Sequence, residues 1–359
     1  MTEYILPEKQ HPWESGPMMR AARGLETERV PVWLMRQAGR YMAEYRAVRE
    51  KTTFLELCKN PTLAAEVMLA AVEKLKVDAA IIFSDLLPIL EPMGFNVEFS
   101  VGEGPVIHRP VREAADVAKV RELEDLSPLD FVFETVAETR ERLDDLLPVI
   151  GFAGAPFTLA GYAIEGGSSR DFRTTKVFML TQESAWNDLL GKIARSVARY
   201  LNAQIKAGAQ IVQLFDSWVG CLSADHYRRF VQPHVKVLID MVKMEHPETP
   251  LIHFGTGNPA LLPWMREAGG NVIGVDWRIP IDKAWEMIGH DRAVQGNLDP
   301  TVLLTDKKTI RREVQMIMQK VGNRPGFIFN LGHGILPQTP VENVVHLVET
   351  VKTSGKTSR

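Results

Sequence analysis

The chain has 359 residues, 45% of them hydrophobic, which is enough for one large domain with a sizeable core or for two smaller ones. Its 42 basic and 45 acidic residues give a net charge of −3, so the composition argues against a general affinity for nucleic acid or for an anionic membrane surface. The sequence contains no run of about 18 uncharged apolar residues and no apolar segment near its N-terminus, so neither a membrane span nor a signal peptide is expected.

Eight short runs of apolar, β-branched or aromatic residues predict buried strands. Helical patterns separate these runs, and strands that alternate with helices indicate a parallel sheet. Eight such units favour an α/β fold of the single-domain (β/α)8 TIM barrel type, although a doubly wound sheet would share the pattern. The predicted strands are Val32–Met35, Ala79–Ser84, Val149–Ala153, Ile211–Phe215, Leu251–Phe254, Val272–Asp276, Ala293–Gly296 and Phe327–Leu331.

No linker or low-complexity stretch divides the chain, so one domain is predicted over residues 17–353, with mobile tails at 1–16 and 354–359. Asp306 is a suitable N-cap for the helical pattern that follows it. The predicted helices are Thr62–Leu75, Phe131–Leu147, Glu183–Ala207, Pro259–Ala268, Ile281–Ile288, Lys308–Val321 and Pro340–Val351.

The first predicted strand stops at two arginines that are four residues apart, Arg36 and Arg40. If the chain turns helical after Met35, both arginines lie on one helix face. Two guanidiniums held together repel each other unless an anion binds between them, and arginine suits a carboxylate because its donors form a fork. The alternative is a solvated basic helix start. The apolar neighbours Trp33 and Ala38 favour a half-buried wall around a ligand.

Asp85 follows the second predicted strand and has apolar residues around it in the sequence. In a TIM barrel the chemistry gathers at the C-terminal ends of the strands, so this position favours an active-site cleft there. A helix N-cap is the alternative role for this side chain. The functional interpretation is a desolvated anion that accepts N–H bonds or stabilises a cation.

Two glycine-rich segments follow other predicted strands. The small residues of Gly151–Tyr162 let the backbone approach a ligand closely, and the segment lacks the Gly-Lys-Ser/Thr ending of a P-loop. Tyr162 is either a core residue or part of the wall of a flat pocket. After the eighth predicted strand His333 stands between two glycines, which suits a donor to an anion, while Gly332–Gly334 is alternatively typical of a phosphate cradle.

Three absences in the sequence narrow the chemistry. No lysine stands at any of these strand ends, which argues against a Schiff-base aldolase. No cluster of His, Cys and Asp has metal-ligand spacing, so no metal site is predicted. Cys58 and Cys221 form no disulfide pattern, and their expected state is reduced, in the cytoplasm.

Two stretches, Pro31–Tyr41 and Gly151–Leu159, resemble the signature stretches of the uroporphyrinogen decarboxylase family. The resemblance runs from about residue 26 to the last helix, and its motifs stand in the family's order. Further matching motifs are Ile82-Phe-Ser-Asp85, Gln213-Leu-Phe-Asp-Ser217, Gln295-Gly-Asn-Leu-Asp299 and Asn330-Leu-Gly-His-Gly334. The departures, which concern pocket shape, are Leu34, Phe157 and Asp216, where the family often has cysteine, tryptophan and glutamate.

The resemblance implies a (β/α)8 barrel that pairs as a homodimer in the cytoplasm and uses no metal and no organic cofactor. It implies the conversion of uroporphyrinogen III into coproporphyrinogen III with loss of four CO2 in haem biosynthesis. The implied catalytic residues are Asp85, Arg36 and Tyr162. The implied substrate-binding positions are Arg36, Gln37, Ala38, Gly39, Arg40, Asp85, Tyr162, Phe215, Ser217 and His333.

An octacarboxylate macrocycle with four pyrrole N–H groups fits these residue types. Arg36, Arg40 and His333 are expected to pair with carboxylates. Asp85 is expected to accept the pyrrole N–H bonds, and Tyr162 to orient Asp85 by a hydrogen bond. Two alternatives stay open at this point. One is a corrinoid-linked methyltransferase of the same superfamily, which would need zinc ligands near the fifth and eighth strands, and the other is a non-catalytic tetrapyrrole-binding protein.

Overall fold

A computed structural model describes residues 11–100 and 104–354, and within these ranges nine strands occur. In chain order the strands are β1 (Ala80–Ile81), β2 (Val97–Ser100), β3 (Gly104–Ile107), β4 (Val149–Gly154), β5 (Ile211–Asp216), β6 (Leu251–Gly255), β7 (Val272–Gly274), β8 (Ala293–Leu298) and β9 (Phe327–Leu331). Seven of them form one parallel sheet in the order β1-β4-β5-β6-β7-β8-β9, while β2 and β3 form a separate antiparallel hairpin.

The segment around Val32 links the two edges of this sheet. The Phe329 N–H of β9 donates to the carbonyl preceding Val32 (2.9 Å), and the Asp78 N–H donates to the Val32 carbonyl (2.8 Å). Val32 and Phe329 form a single parallel bridge. The predicted strand Val32–Met35 is therefore wrong, because its last N–H donates to the Asn330 side chain (3.2 Å) instead of a strand. The TIM-barrel prediction is confirmed, with a barrel that is only partly closed at this point.

Helices connect the strands of the sheet, as the alternation of patterns predicts. In the described ranges the α-helices are α1 (Pro17–Ala22), α2 (Ala43–Arg49), α3 (Phe54–Cys58), α4 (Pro61–Leu75), α5 (Ala114–Val117), α6 (Asp130–Arg142), α7 (Pro156–Glu165), α8 (Arg173–Thr181), α9 (Glu183–Lys206), α10 (Ala224–Phe230), α11 (Gln232–Glu245), α12 (Leu262–Ala268), α13 (Ile281–Ile288), α14 (Lys307–Val321) and α15 (Val341–Ser354). Short 3-10 helices cover Pro12–Ser15, Pro88–Leu90, Ser127–Leu129, Val219–Cys221, Pro259–Leu261 and Pro300–Leu304.

All seven predicted helices are present, and most agree with the structure to within a few residues. Helix Ile281–Ile288 agrees at both ends. Helix α6 ends at Arg142, earlier than predicted, because Leu143 is extended and its carbonyl accepts a bond from the Arg140 guanidinium (3.1 Å). The pattern Pro259–Ala268 divides into a 3-10 turn and α12. The β2–β3 hairpin and helices α1, α2, α3, α5, α7, α8, α10 and α11 were not predicted.

Part of the N-terminal tail has a defined place. Residues 12–15 form a 3-10 turn, and Trp13 packs against the hydrophobic core. The remaining predicted tail residues, 1–10 and 355–359, lie outside the described residues. The domain boundaries at 17 and 353 and the mobility of the tails therefore stay predictions.

Polar side chains cross the interior of the barrel. The Trp33 indole N–H donates to the Gln295 side chain (2.9 Å), and the Gln295 amide donates to the Gln213 side chain (3.1 Å). All three residues are buried, so each bond is formed away from water, where a lost partner is costly. The chain of bonds ties the closing segment that carries Trp33 to β8 and β5.

Asp78 is the buried anion that fixes the closing segment. Its carboxylate accepts two bonds from the Arg29 guanidinium (2.7 and 2.8 Å) and one from the Val32 N–H (2.8 Å). The Lys352 ammonium of α15 lies 3.1 Å from the same carboxylate. Asp78 is 3% exposed and Arg29 is 22% exposed, so the pair is largely withdrawn from water. The anion therefore joins the start of the first unit to the last helix.

We predict that Asp78→Asn lowers the free energy of unfolding by about 3 kcal/mol, because it leaves the Arg29 cation buried without its charge partner. Chemical denaturation measures this change. Asp240→Asn is the matched control, since Asp240 pairs with Lys236 on an exposed helix face and the loss should stay below about 1 kcal/mol. Equal effects of the two substitutions would contradict the role assigned to Asp78.

Candidate active site

The loop after Val32 carries the first two predicted site residues, and it is not helical. Arg36 adopts a left-handed backbone conformation (φ 61°), so Arg36 and Arg40 do not stack on a helix face as predicted. The physical reason is the Gln37 side chain, which is buried inside the loop. Its carbonyl accepts a bond from the Leu34 N–H (3.2 Å), and its amide donates to the Ala79 carbonyl (3.1 Å). Both arginine side chains are exposed.

The same loop presents a row of backbone donors. Within residues 11–100 and 104–354, the N–H groups of Ala38, Gly39 and Arg40 have no acceptor. The Gln37 carbonyl, by contrast, is occupied, because it accepts a bond from the Tyr41 hydroxyl (2.6 Å). Successive backbone N–H groups of this kind form a concave site for an anion. The loop therefore adds backbone donors to the guanidiniums of its two arginines.

Asp85 lies in a turn beyond β1 and is half-buried. Its Oδ1 accepts a bond from the Leu87 N–H (3.0 Å), and a 3-10 turn follows at Pro88–Leu90, so the side chain caps a local turn and no α-helix. Burial raises the pKa of Asp85, while the Leu87 N–H and the positive charge of Arg36 act in the opposite direction. The carboxylate is thus a desolvated group whose charged form depends on a few donors and one cation.

Tyr162 projects from α7 toward the same region. Its ring packs edge to face against Trp218, with ring centroids 6.1 Å apart. Burial raises the pKa of the Tyr162 hydroxyl, and the charges of both Asp85 and Arg36 act on it. Among the described residues, however, no hydrogen bond joins Tyr162 to Asp85, so the predicted orienting bond is absent in this structure. Tyr162 is a neutral donor beside the carboxylate.

The loop after β9 supports the Arg36 side chain. A Cβ atom at Gly334 would lie 2.7 Å from Arg36 Cγ and 2.9 Å from Arg36 Nε, so a larger residue here would displace the Arg36 side chain from its present position. His333 is half-buried, and burial together with the nearby charge of Arg36 lowers its pKa to about 4. At neutral pH His333 is therefore an uncharged N–H donor, whereas the sequence suggested an ion pair with a carboxylate.

Aromatic rings and a hydroxyl from the end of β5 complete the predicted set. Phe215 packs edge to face between Phe152 (5.5 Å) and Phe254 (5.8 Å), so three neighbouring strands contribute to one apolar floor. Ser217 is the first residue beyond β5, and its carbonyl accepts a bond from the Thr256 hydroxyl (3.2 Å). Phe215 and Ser217 are both half-buried and lie at the C-terminal end of β5.

Asp216, between these two residues, points away from solvent. Burial raises its pKa to about 8, which makes the carboxyl group neutral at pH 7. The Thr158 hydroxyl of α7 donates to its Oδ1 (3.1 Å). The link joins β5, which carries Phe215, to the helix that carries Tyr162. Asp216, which stands where the resembled family often has glutamate, thus lies behind the pocket wall.

The structure brings four predicted residues into one electrostatic group, namely Arg36, Asp85, Tyr162 and His333. Arg40 lies to one side, where its charge acts on Tyr45. The sequence interpretation assigned no role to Trp218, Asp276, Trp277 or Arg278, which also stand at strand ends beside this group. Their positions shortly after β5 and β7 could have marked them as site residues. Nothing in the sequence, however, identified the side chains that they contact.

Two features are absent from the described residues. No group of three or more His, Cys, Asp or Glu side chains is placed to hold a metal ion within residues 11–100 and 104–354. The prediction of a metal-free site stays a prediction. In the same part of the chain, none of the helices combines the length and the apolar character that crossing a membrane requires.

Comparison with known proteins identifies the family. A family model described as "Uroporphyrinogen decarboxylase (URO-D)" matches residues 14–354. A "Uroporphyrinogen decarboxylase" of Sorangium cellulosum is 52% identical over 340 residues, which cover 95% of this chain and 97% of the relative. One of Carboxydothermus hydrogenoformans is 52% identical over 333 residues, which cover 93% and 95% of the two chains.

Among solved structures, a "methyltransferase from Methanosarcina mazei" superposes with a TM-score of 0.80 over 96% of this chain and 99% of its own. Its sequence identity of 20% supports the shared fold and nothing further. The family model and the relatives, by contrast, match over nearly the full length at about half the positions. This chain therefore belongs to the uroporphyrinogen decarboxylase family.

Proposed function

We propose that this protein removes the four acetate carboxyl groups of uroporphyrinogen III as CO2 and produces coproporphyrinogen III. The observation that carries the proposal is the half-buried Asp85 carboxylate, which lies at the C-terminal edge of the sheet and on which the positive charge of Arg36 acts. Relatives 47–52% identical over most of the chain bear the name of this decarboxylase. The proposal includes the catalytic and binding roles of the electrostatic group Arg36, Asp85, Tyr162 and His333.

The substrate's charges match the donors of the pocket. Its eight carboxylates call for cations and N–H groups, which the Arg36 guanidinium, the Arg40 guanidinium and the free N–H groups of Ala38 and Gly39 supply. His333 contributes a neutral donor. The four pyrrole N–H groups point toward the centre of a folded macrocycle, where Asp85 is the matching acceptor. Phe215 supplies an apolar surface against the pyrrole rings.

Decarboxylation of an acetate on a pyrrole needs a place for the electron pair of the breaking C–C bond. A proton added to the ring α-carbon makes the pyrrole cationic, and the C–C electron pair then flows into the ring as CO2 leaves. The resulting exocyclic methylene takes a proton to become a methyl group, and the ring carbon loses the proton it gained. Asp85 in its ionised form stabilises the cationic ring through the pyrrole N–H groups, which in turn offset the burial that raises the pKa of Asp85.

The pKa values of the site narrow the choice of proton donor. His333 has its pKa lowered to about 4, so at neutral pH it carries no proton to give as an imidazolium. Burial raises the pKa of Tyr162, which makes its hydroxyl a weaker acid than usual. Arg36, or a water molecule held beside it, is left as the proton source. A guanidinium is a very weak acid, so the bound water is the better proton donor of the two only if Arg36 polarises it.

A methyltransferase of the same fold is the second candidate, and one observation weighs against it. His253, in the fifth predicted strand, would have to be a zinc ligand. Its side chain is fully buried between β6 and α12, with Nδ1 3.3 Å from the Met265 carbonyl, and burial lowers its pKa to about 4. A side chain in that position does not face the C-terminal cleft. A non-catalytic tetrapyrrole-binding protein is the third candidate.

Anaerobic incubation with uroporphyrinogen III, followed by separation of the products by carboxylate number, tests the three candidates together. We expect the octacarboxylate to disappear and the tetracarboxylate to accumulate with four CO2 released for each macrocycle. Binding without turnover would identify a carrier protein. Stoichiometric zinc in the purified protein, with methyl transfer and no CO2, would identify a methyltransferase.

We also infer that the protein is a cytoplasmic homodimer. The family resemblance supports both properties, and the reduced cysteines expected from the sequence suit that compartment. Light scattering coupled to size-exclusion chromatography distinguishes a dimer of about 81 kDa from a monomer of 40.3 kDa.

We predict that Asp85→Asn leaves the fold intact and lowers kcat at least about a hundredfold, because it removes the charge that stabilises the cationic ring. Initial rates and thermal unfolding measure the two effects. Asp125→Asn is the matched control, since Asp125 caps the same kind of turn through the Ser127 N–H (3.0 Å) but is exposed and remote from the site. Near-normal turnover of Asp85→Asn would refute the role of a central anion.

We predict that Gly334→Ala lowers kcat/KM roughly tenfold or more, because the new methyl group occupies the space of the Arg36 side chain and displaces its guanidinium. The control is Gly191→Ala in α9, where the new methyl group would meet only the flexible end of Arg195 (3.1 Å). If the two variants behave alike in steady-state kinetics, the position of Arg36 does not limit the reaction.

A further inference from the structure

We infer that Arg278, at the end of β7, is a further carboxylate-binding residue of the substrate pocket. This inference rests on the proposed function, because it assigns Arg278 to the polycarboxylate substrate named there. It adds a cation whose charge reaches His333, and so extends the carboxylate contacts beyond the loop that carries Arg36 and Arg40.

Asp276 fixes the position of the segment that carries Arg278. Its Oδ2 accepts a bond from the Gly257 N–H beyond β6 (2.7 Å), and its Oδ1 accepts one from the Arg278 N–H (3.0 Å). The Asp276 carbonyl accepts a bond from the Asn297 amide of β8 (2.9 Å). Asp276 is 4% exposed, so these bonds are shielded from water. The ends of three neighbouring strands therefore hold this turn in one place.

The turn presses directly against the loop that carries His333. A Cβ atom at Gly332 would lie 2.6 Å from Trp277 N and 2.8 Å from Trp277 Cε3, so the two segments touch without a side chain between them. His333 is the next residue in that loop. The charges of Arg36 and Arg278 both act on His333, which agrees with a position between the two arginines. Arg278 thus borders the predicted pocket from β7.

The Arg278 guanidinium keeps donors available for a ligand. It lies over the Trp277 ring, 4.3 Å from the centroid, and its Nη1 bonds Asp276 Oδ2. Within the part of the chain that the structure describes, its Nη2 and Nε have no acceptor, and the side chain is 44% exposed. By comparison, the Arg29 guanidinium uses both of its Nη atoms on Asp78. Ring stacking and one ion pair therefore orient the Arg278 guanidinium, while its Nη2 and Nε stay available to donate to a ligand.

The charge balance of the site indicates that Arg278 Nη2 and Nε bind a substrate carboxylate. The substrate carries eight carboxylates, whereas Arg36 and Arg40 are the only full positive charges among the residues assigned to the site, because His333 is neutral at pH 7. The Asp276 carboxylate already accepts bonds from two backbone N–H groups in addition to Arg278. Its negative charge is thus shared among three donors, and the guanidinium retains attraction for a second carboxylate.

Substitution of Arg278 tests the inference. We expect Arg278→Gln to raise the KM for uroporphyrinogen III roughly tenfold or more, with kcat within about twofold of the wild-type value, since a charged hydrogen bond to substrate is lost. The dissociation constant for coproporphyrinogen III, measured anaerobically by ultrafiltration, should rise by a similar factor. Arg266→Gln is the matched control, because Arg266 pairs with Asp291 at similar exposure (38%) away from the site.

A lysine at this position separates substrate binding from a purely structural role. Arg278→Lys can keep the ion pair with Asp276, but an ammonium lacks the additional donors that Nη2 and Nε of the guanidinium provide. We expect it to restore the wild-type unfolding temperature without restoring KM or the dissociation constant. If Arg278→Lys recovered the wild-type KM and the wild-type dissociation constant in full, the inference would be overturned, because Arg278 would then act only by holding Asp276.

Two other outcomes would also be decisive. If Arg278→Gln and Arg266→Gln both bind as the wild-type protein does, Arg278 does not contact the substrate. If the wild-type protein binds coproporphyrinogen III but releases no CO2 from uroporphyrinogen III, the proposed function fails. The binding comparison of the variants then still decides whether Arg278 contacts a carboxylate.

Discussion

The Asp85 carboxylate is half-buried within reach of the positive charge of Arg36, and the remaining features of the site depend on this electrostatic interaction. Burial disfavours the charged form of the carboxylate, so the anion persists only with donors and a cation close by. The Leu87 N–H supplies one donor, and Arg36 supplies the cation. A ligand that brings further N–H groups to the carboxylate would stabilise its charge. A tetrapyrrole with four inward-facing N–H groups meets that requirement.

Much of the surrounding architecture serves to hold Arg36 in place. The buried Gln37 side chain forces the loop into a compact turn, the left-handed conformation at Arg36 redirects the chain, and Gly334 leaves space for the guanidinium. The Asp78 carboxylate and the series of side-chain hydrogen bonds that begins at Trp33 hold the same segment in place. Contacts between residues far apart in sequence thus set the position of one side chain, and the irregular first unit of the barrel follows from them.

Sequence patterns predicted the seven regular strands of the sheet and placed Asp85 and His333 at strand ends, because periodicity and strand alternation are local signals. They failed at the Val32 segment, where the Met35 N–H binds the Asn330 side chain about 300 residues later in the chain. They also failed at Arg36, where the buried Gln37 side chain reaches the Ala79 carbonyl and Gly334 leaves room for the guanidinium. Such long-range contacts leave no local pattern. The neutral state of His333 was equally invisible, since burial and a neighbouring cation create it only in the folded chain.

The ionisation state of Asp85 in a ligand complex tests the central claim most directly. Infrared difference spectra of protein labelled with 13C at the aspartate carboxyl groups, recorded with coproporphyrinogen III bound and compared between the wild type and Asp85→Asn, isolate this one group. The account predicts that the isolated signal is a carboxylate band, which means that Asp85 is ionised with the macrocycle in place. A protonated carboxyl band at neutral pH would contradict it, because a neutral Asp85 cannot stabilise the cationic ring.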